Sequence, residues 1–154
     1  MGVIHRLDII EDNEFFYRSF PAPDTRRTGK PEYHFSNNNG KVCFSGMAFY
    51  DRVGQPSVDR ASLIKSPQEI IFDKDNAVIG LLAEEIRKIS TEHQKHDVIF
   101  EPTEKRPSHS SIVSDPSFIK KNNKLDKTRF YAFVEDLAKI AEKHGWIIEP
   151  KHGL

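Results

Sequence analysis

The sequence predicts an α+β fold: a mainly antiparallel sheet with a long C-terminal amphipathic helix packed on one face. Three observations lead to this prediction. Short segments rich in aromatic and β-branched residues alternate with turn residues along most of the chain. An Asn-Gly pair stands between two of these segments, as is typical of a β-hairpin. Near the C-terminus, apolar residues recur with the spacing of one helix face.

The bulk composition limits the kinds of protein that this chain can be. Its 154 residues are expected to form a single domain, residues 1–154. Lys+Arg and Asp+Glu both number 23, so the net charge is zero and general binding to polyanions is not expected. Cys43 is the one cysteine, which fits a reducing compartment. No apolar run resembles a signal or membrane segment, so we expect a soluble cytoplasmic protein without membrane association.

The first elements are predicted to be short strands. Segment 3–10 (VIHRLDII) fits either a short strand or a helical turn. Segment 14–20 (EFFYRSF) has the aromatic content of a strand. The three prolines and one glycine of 21–31 predict a loop. The turn 36–41 (SNNNGK) then joins EYHF and KVCFSGMAFY as a hairpin, although the second piece can also curl into a helical turn.

The middle of the chain leaves one choice of structure open. Segment 57–64 (SVDRASLI) is predicted to be a strand that begins directly after Pro56. Ser66 and Pro67 then have the residue types of a helix cap and first helical position, which predicts a short helix. Segment 76–90 (NAVIGLLAEEIRKIS) fits either a buried strand 77–82 followed by a short helix 84–90, or one continuous helix.

The last third predicts a strand pair and the long helix. Segment 96–102 (HDVIFEP) is a strand that ends at a proline, and 109–113 (HSSIV) is its partner. The helix is predicted at about 126–144, with Asp126 or Thr128 at its start and Gly145 after its end. WIIEP can add a final edge strand. The apolar face of the helix consists of Phe130, Phe133, Val134, Leu137, Ile140 and Ala141.

Three titratable residues on predicted strands suggest a reactive site. Alternation along a strand puts Arg18, Arg60 and His109 each on a face that also carries apolar residues. An arginine buried in this way needs an anion or a carboxylate beside it. If the strands are neighbours, the two arginines can bind a phosphate, Ser57 and Ser111 can donate hydrogen bonds, and His109 can act as the catalytic base. The hypothesis is a pocket for a nucleotide or RNA phosphate, with phosphodiester or nucleotidyl-type transfer chemistry.

The same residues also allow a simpler interpretation. Arg18 and Arg60 can form ion pairs with neighbouring acids, and His109 can sit in water at the end of a strand. The alternative function is then a non-catalytic protein-protein interaction or accessory, immunity-type module. Its protein partner would contact surplus apolar residues in EFFYRSF and FSGMAFY.

Other polar clusters are less informative. His93 and His96 have a spacing that could hold zinc on a helix, but no third ligand stands at a diagnostic distance. We therefore expect no metal site and no cofactor, and a solvated turn before a strand at EHQKHD. The basic run 120–129 is interpreted as a solvated linker into the last helix rather than a nucleic-acid contact. No motif assigns the chain to a family.

Overall fold

The computed structural model describes residues 9–21, 34–36, 39, 42–71 and 77–150. The strands in these residues are β1 (Phe15–Phe20), β2 (His34–Ser36), β3 (Val42–Phe44), β4 (Ser57–Arg60), β5 (Ala77–Leu82), β6 (Lys95–Phe100) and β7 (His109–Asp115), and the helices are α1 (Ala83–Lys88) and α2 (Lys127–His144). Five strands form an antiparallel sheet in the order β5-β1-β4-β7-β6, and two more pair as β2-β3. The long helix α2 packs against the sheet, so the predicted α+β class is confirmed.

One face of the five-stranded sheet builds the core with α2. Side chains alternate along a strand, so Phe16 and Phe20 of β1 point to the same side as their cross-strand partners Leu81 and Ala77 of β5. All four are fully or almost fully buried and belong to one cluster with the apolar side of α2. We call this the helix face of the sheet, and the opposite side the far face. The division decides where each polar residue of the strands lies.

Helix α2 matches its prediction almost residue for residue. Its buried side chains include five of the six that the periodicity selects, and the sixth, Ile140, packs partly buried against the core. The Asp126 carboxylate accepts a hydrogen bond from the Arg129 amide at 3.4 Å, so it occupies the cap position. Gly145 ends the helix with φ = 72°, a conformation that favours glycine.

The open choice in segment 76–90 is resolved as a strand followed by a helix. Gly80 lies under the ring of Phe15, and a Cβ atom there would stand 2.2 Å from two ring carbons. That close approach suits a strand glycine covered by an aromatic ring. Glu85, at the third position of α1, accepts a hydrogen bond from the Leu82 amide at 2.8 Å and so fixes the start of the helix.

Several shorter predictions are confirmed with changed lengths. β2 and β3 pair as the expected hairpin, and KVCFSGMAFY does curl into a 3₁₀ turn at Gly46–Phe49. SVDRASLI is a strand only to Arg60, after which Ala61–Leu63 form another 3₁₀ turn. Pro67–Ile70 also forms a 3₁₀ turn rather than an α-helix. WIIEP contributes a single bridge between Ile148 and Val78 instead of a full strand.

Some predicted segments lie wholly or partly outside the described residues. These are segment 3–10 up to residue 8, the loop from residue 22 onward, and most of the hairpin turn 36–41.

Arg18 connects three parts of the chain on the helix face. Its guanidinium donates to the backbone carbonyls of Ala48 at 2.8 Å, Tyr50 at 3.0 Å and Ser57 at 2.8 Å. Ala48 lies in the 3₁₀ turn Gly46–Phe49, and Tyr50 directly follows that turn. Ser57 is the first residue of β4. The planar fork of an arginine reaches several acceptors at once, which a single ammonium cannot do in the same geometry.

We therefore expect Arg18→Lys to destabilise the protein although it keeps the charge. The lysine cannot satisfy all three carbonyls, and an unsatisfied buried carbonyl costs about 1–3 kcal/mol. The free energy of unfolding, measured by urea denaturation, should fall by about 2–4 kcal/mol. Lys139→Arg on the exposed side of α2 is the matched control and should leave it unchanged. If Arg18→Lys left the free energy of unfolding unchanged, the result would contradict the structural role of the Arg18 guanidinium.

Candidate functional site

The far face of the sheet carries a group of polar side chains from two neighbouring strands. β4 and β7 are antiparallel, with Ser57 opposite Ser111 and Asp59 opposite His109. Residues that face each other across such a pair project to the same side of the sheet. The four side chains therefore share the far face, which brings the candidate residues Ser57, Ser111 and His109 to one side of the sheet.

His109 and Ser57 form a hydrogen-bonded pair. His109 Nε2 lies 3.2 Å from Ser57 Oγ, and Nδ1 lies 2.8 Å from the Glu101 carbonyl oxygen. A carbonyl can only accept, so Nδ1 carries the proton and Nε2 of the neutral ring accepts from the serine hydroxyl. Both side chains are partly exposed. The arrangement can move a proton from a serine hydroxyl to an imidazole that is oriented by a third group.

A buried carboxylate stands next to this pair. Asp59 is 1% exposed and accepts from Ser108 Oγ at 2.8 Å and from Arg106 Nη2 at 2.5 Å. It also lines a cleft of about 190 Å³, together with Lys105, Arg106 and Pro107 and with residues from the two 3₁₀ turns that follow β4. Neither Ser57 nor His109 lines this cleft, which is connected to the pair through Asp59, the cross-strand partner of His109.

Arg60 lies on the opposite side of the sheet from His109. It is 4% exposed, and its Nη2 donates to both carboxylate oxygens of Glu14, at 2.7 and 2.9 Å. Its guanidinium carbon stands 4.7 Å from the ring centroid of Phe100. Asp59 and Arg60 are consecutive in β4, so they project to opposite faces, and His109 follows Asp59.

Arg18 is also on the helix face, where it binds backbone carbonyls. The structure therefore does not bring Arg18 and Arg60 together with His109 in one pocket, and the expected three-residue convergence is corrected in that respect. One connection remains: Arg18 Nη1 holds the carbonyl of Ser57, the residue whose hydroxyl contacts His109. Arg18 thus fixes the backbone of one member of the pair from the other side of the strand.

His96 is a buried histidine that lines a different cleft. It belongs to β6, as the predicted strand 96–102 has it, and it is 6% exposed, so the solvated turn expected at EHQKHD does not include it. Its ring stacks on Phe133 of α2 at 4.1 Å, and Nδ1 lies 2.8 Å from Ser114 Oγ. Burial lowers the pKa of His96 below its usual value, although the nearby Asp136 carboxylate opposes this effect. The alternation of His96, Val98 and Phe100 in HDVIF is the sequence signal that could have placed it on a buried face.

The sequence predicts no metal site at His93 and His96, which lie in the same segment. His93 is exposed and contacts Glu92, whereas His96 points inward, so the two imidazoles do not converge. Among the described residues, no group of three or more His, Cys, Asp or Glu side chains could hold a metal ion.

Comparison with protein-family models, with curated proteins and with solved structures gives no match to this chain. Within the described ranges, the helices are too short or too polar to cross a lipid bilayer. The site must therefore be interpreted from its own geometry.

The Arg60–Glu14 pair generates a stability prediction. Glu14→Gln removes the charge opposite a guanidinium that is almost completely buried, and breaking such a pair costs about 3–5 kcal/mol. The exposed Glu84–Lys88 pair is the matched control, for which Glu84→Gln should cost less than about 1 kcal/mol. Denaturation curves of both variants test this difference. Equal effects would show that burial of Arg60 does not raise the cost of losing its partner.

The environment of His96 generates a pH prediction. Its pKa is lower in the folded than in the unfolded chain, so the unfolded state binds more protons as the pH falls below about 6.5. Folding stability should therefore decrease from pH 7 toward pH 5, and His96→Asn should remove part of that decrease. The control His93→Asn changes an exposed histidine and should leave the pH profile unchanged. An identical slope in wild type and His96→Asn would contradict the prediction.

Proposed function

We propose that the chain is a small enzyme that acts on phosphate esters, with Ser57 as nucleophile and His109 as general base. The single observation that supports this is the chain of hydrogen bonds from the Glu101 carbonyl through His109 to Ser57. It gives the imidazole one defined tautomer, with its basic nitrogen directed at a hydroxyl. No metal or cofactor takes part in the proposed step.

The proposed step balances its protons within the pair. Ser57 Oγ attacks the phosphorus atom while its proton passes to His109 Nε2. The imidazolium then gives that proton to the leaving oxygen, and the phosphoryl group stays on Ser57 until water or an acceptor alcohol removes it. Ser111, directly across from Ser57, can donate a hydrogen bond to a phosphate oxygen. The reaction class is phosphodiester cleavage or a related nucleotidyl-type transfer.

Recognition of the substrate is assigned to the cleft beside the pair rather than to Arg18 and Arg60. Those two arginines are engaged with the carbonyls and with Glu14 on the helix face. The exposed Lys105 lines the cleft that contains Asp59 and can bring a cation to a bound phosphate, whereas Arg106 lines the same cleft but is paired with Asp59. A cationic group beside the reacting pair favours a nucleotide or a short RNA phosphate as the substrate class. The lone cysteine supports a cytoplasmic location.

The test is hydrolysis of three probes: bis(4-nitrophenyl) phosphate, an RNA oligonucleotide and 4-nitrophenyl acetate. The proposal predicts that Ser57→Ala and His109→Asn each reduce phosphodiester cleavage by about 100-fold or more. The double variant should lose little beyond either single change, because the two groups act as a unit. Cleavage of the acetate instead of the phosphodiesters would support the pair but reject the phosphate substrate.

Two exposed positions supply the controls. Ser62→Ala and His93→Asn change the same residue types at exposed sites and should keep full activity. Circular dichroism should show that all variants stay folded. If wild type cleaves none of the probes, or if Ser57→Ala retains activity, the catalytic proposal is wrong. The alternative would then be the non-catalytic interaction module. Most apolar residues of EFFYRSF and FSGMAFY lie in the core rather than at the surface, so its interface would use exposed apolar side chains such as Ile9 and Val53.

A further inference from the structure

A second cleft, of about 240 Å³, opens on the helix side of the molecule, between α2 and the segment around the start of β6. Phe133 contributes an apolar wall, and His96 lies against it in a parallel ring stack. Thr91 and Gln94 line the cleft from the turn that precedes β6. This cleft shares no residue with the cleft that contains Asp59 on the far face.

The cleft has a cation toward one end and an anion toward the other. Arg129 and Asp136 both line it, and they are seven positions apart on α2, so about two helical turns, or 10.5 Å of rise, separate them. That spacing keeps the two charges from pairing with each other. In the part of the chain that the structure describes, neither side chain forms an ion pair, and Arg129 contacts Gln94 Oε1 at a long 3.4 Å.

A buried histidine faces the space between these charges. His96 is 94% buried, given its exposed fraction of 6%, and its Nδ1 is held by Ser114. Nε2 has no hydrogen-bond partner among the described residues, and His96 lines the cleft. This nitrogen is not enclosed by the protein, so it can form a hydrogen bond with a ligand or with water in the cleft. The Thr91 hydroxyl accepts hydrogen bonds from the backbone amides of His93 and Gln94, both at 3.2 Å. Its own proton therefore remains available for donation to another group.

We propose that this cleft binds a small aliphatic zwitterion, whose anionic group contacts Arg129 and whose ammonium group contacts Asp136. A short apolar chain between the two groups would lie along Phe133, and a polar atom of the anionic end would hydrogen-bond to His96 Nε2. A ligand with both charges matches the cleft, because a single anion would leave Asp136 unpaired and a single cation would leave Arg129 unpaired. The inference uses none of the residues of the proposed Ser57–His109 chemistry, so either can fail without the other.

The experiment titrates the full chain with ω-amino acids and follows the imidazole resonances of His96 by NMR. The series 4-aminobutyrate, 6-aminohexanoate and 8-aminooctanoate varies the distance between the charges, and affinity should peak at one chain length. Hexanoate and hexylamine carry one charge each and should bind about tenfold or more weakly than the best zwitterion. A peptide with a C-terminal lysine carries the same two groups, a carboxylate and an ammonium. It should bind when its C-terminus is a free carboxylate and not when that carboxylate is converted to an amide.

Variants identify the contacts. Arg129→Gln and Asp136→Asn should each weaken binding of the best zwitterion by about tenfold, the effect of losing one partly exposed charge contact. Lys139→Gln and Glu149→Gln change exposed charges outside the cleft and should have no effect. The proposal is overturned if hexanoate binds as tightly as the zwitterions, if affinity does not depend on chain length, or if no ligand of the series shifts the His96 resonances.

Discussion

The need to pair every buried polar group organises this small sheet, and Arg18 is where that need is most concentrated. Its side chain leaves β1 on the helix face and satisfies three carbonyls that belong to the Gly46–Phe49 turn region and to β4. Backbone carbonyls that lie outside a ladder are costly to bury without a donor. Because one guanidinium supplies all three donors, the irregular segment between β3 and β4 can pack against the sheet and against α2.

Opposite charges on consecutive residues give the two faces of the sheet different environments. Asp59 is neutralised on the far face by Arg106 and Ser108, and Arg60 is neutralised on the helix face by Glu14. Each charge is almost fully buried, and each is paired, as burial requires. The pairing of β4 with β7 then carries the polar character of the far face to His109, while the helix face continues as apolar core.

At the edge strand β6, side chains occupy several of the outward-pointing backbone groups. Ser90 accepts from the amide of His96 at 2.8 Å and donates to its carbonyl at 3.2 Å, and Asp97 accepts from the amide of Val98 at 2.8 Å. These contacts occupy outward-pointing backbone groups that an additional strand would need.

The sequence by itself determined the elements whose signals are local. The apolar spacing from Phe130 to Ala141 predicts α2, and the Asn-Gly turn predicts the β2–β3 hairpin, because both patterns act over a few residues. Alternation also places His109 on the same strand face as Ser111, but it cannot say which strands are neighbours or which face is covered. The strand order β5-β1-β4-β7-β6 and the position of α2 decided that Arg18 and Arg60 turn away from His109 and that His96 lines a cleft. Those outcomes depend on contacts between residues far apart in sequence, such as Arg60 with Glu14, and no local pattern contains them.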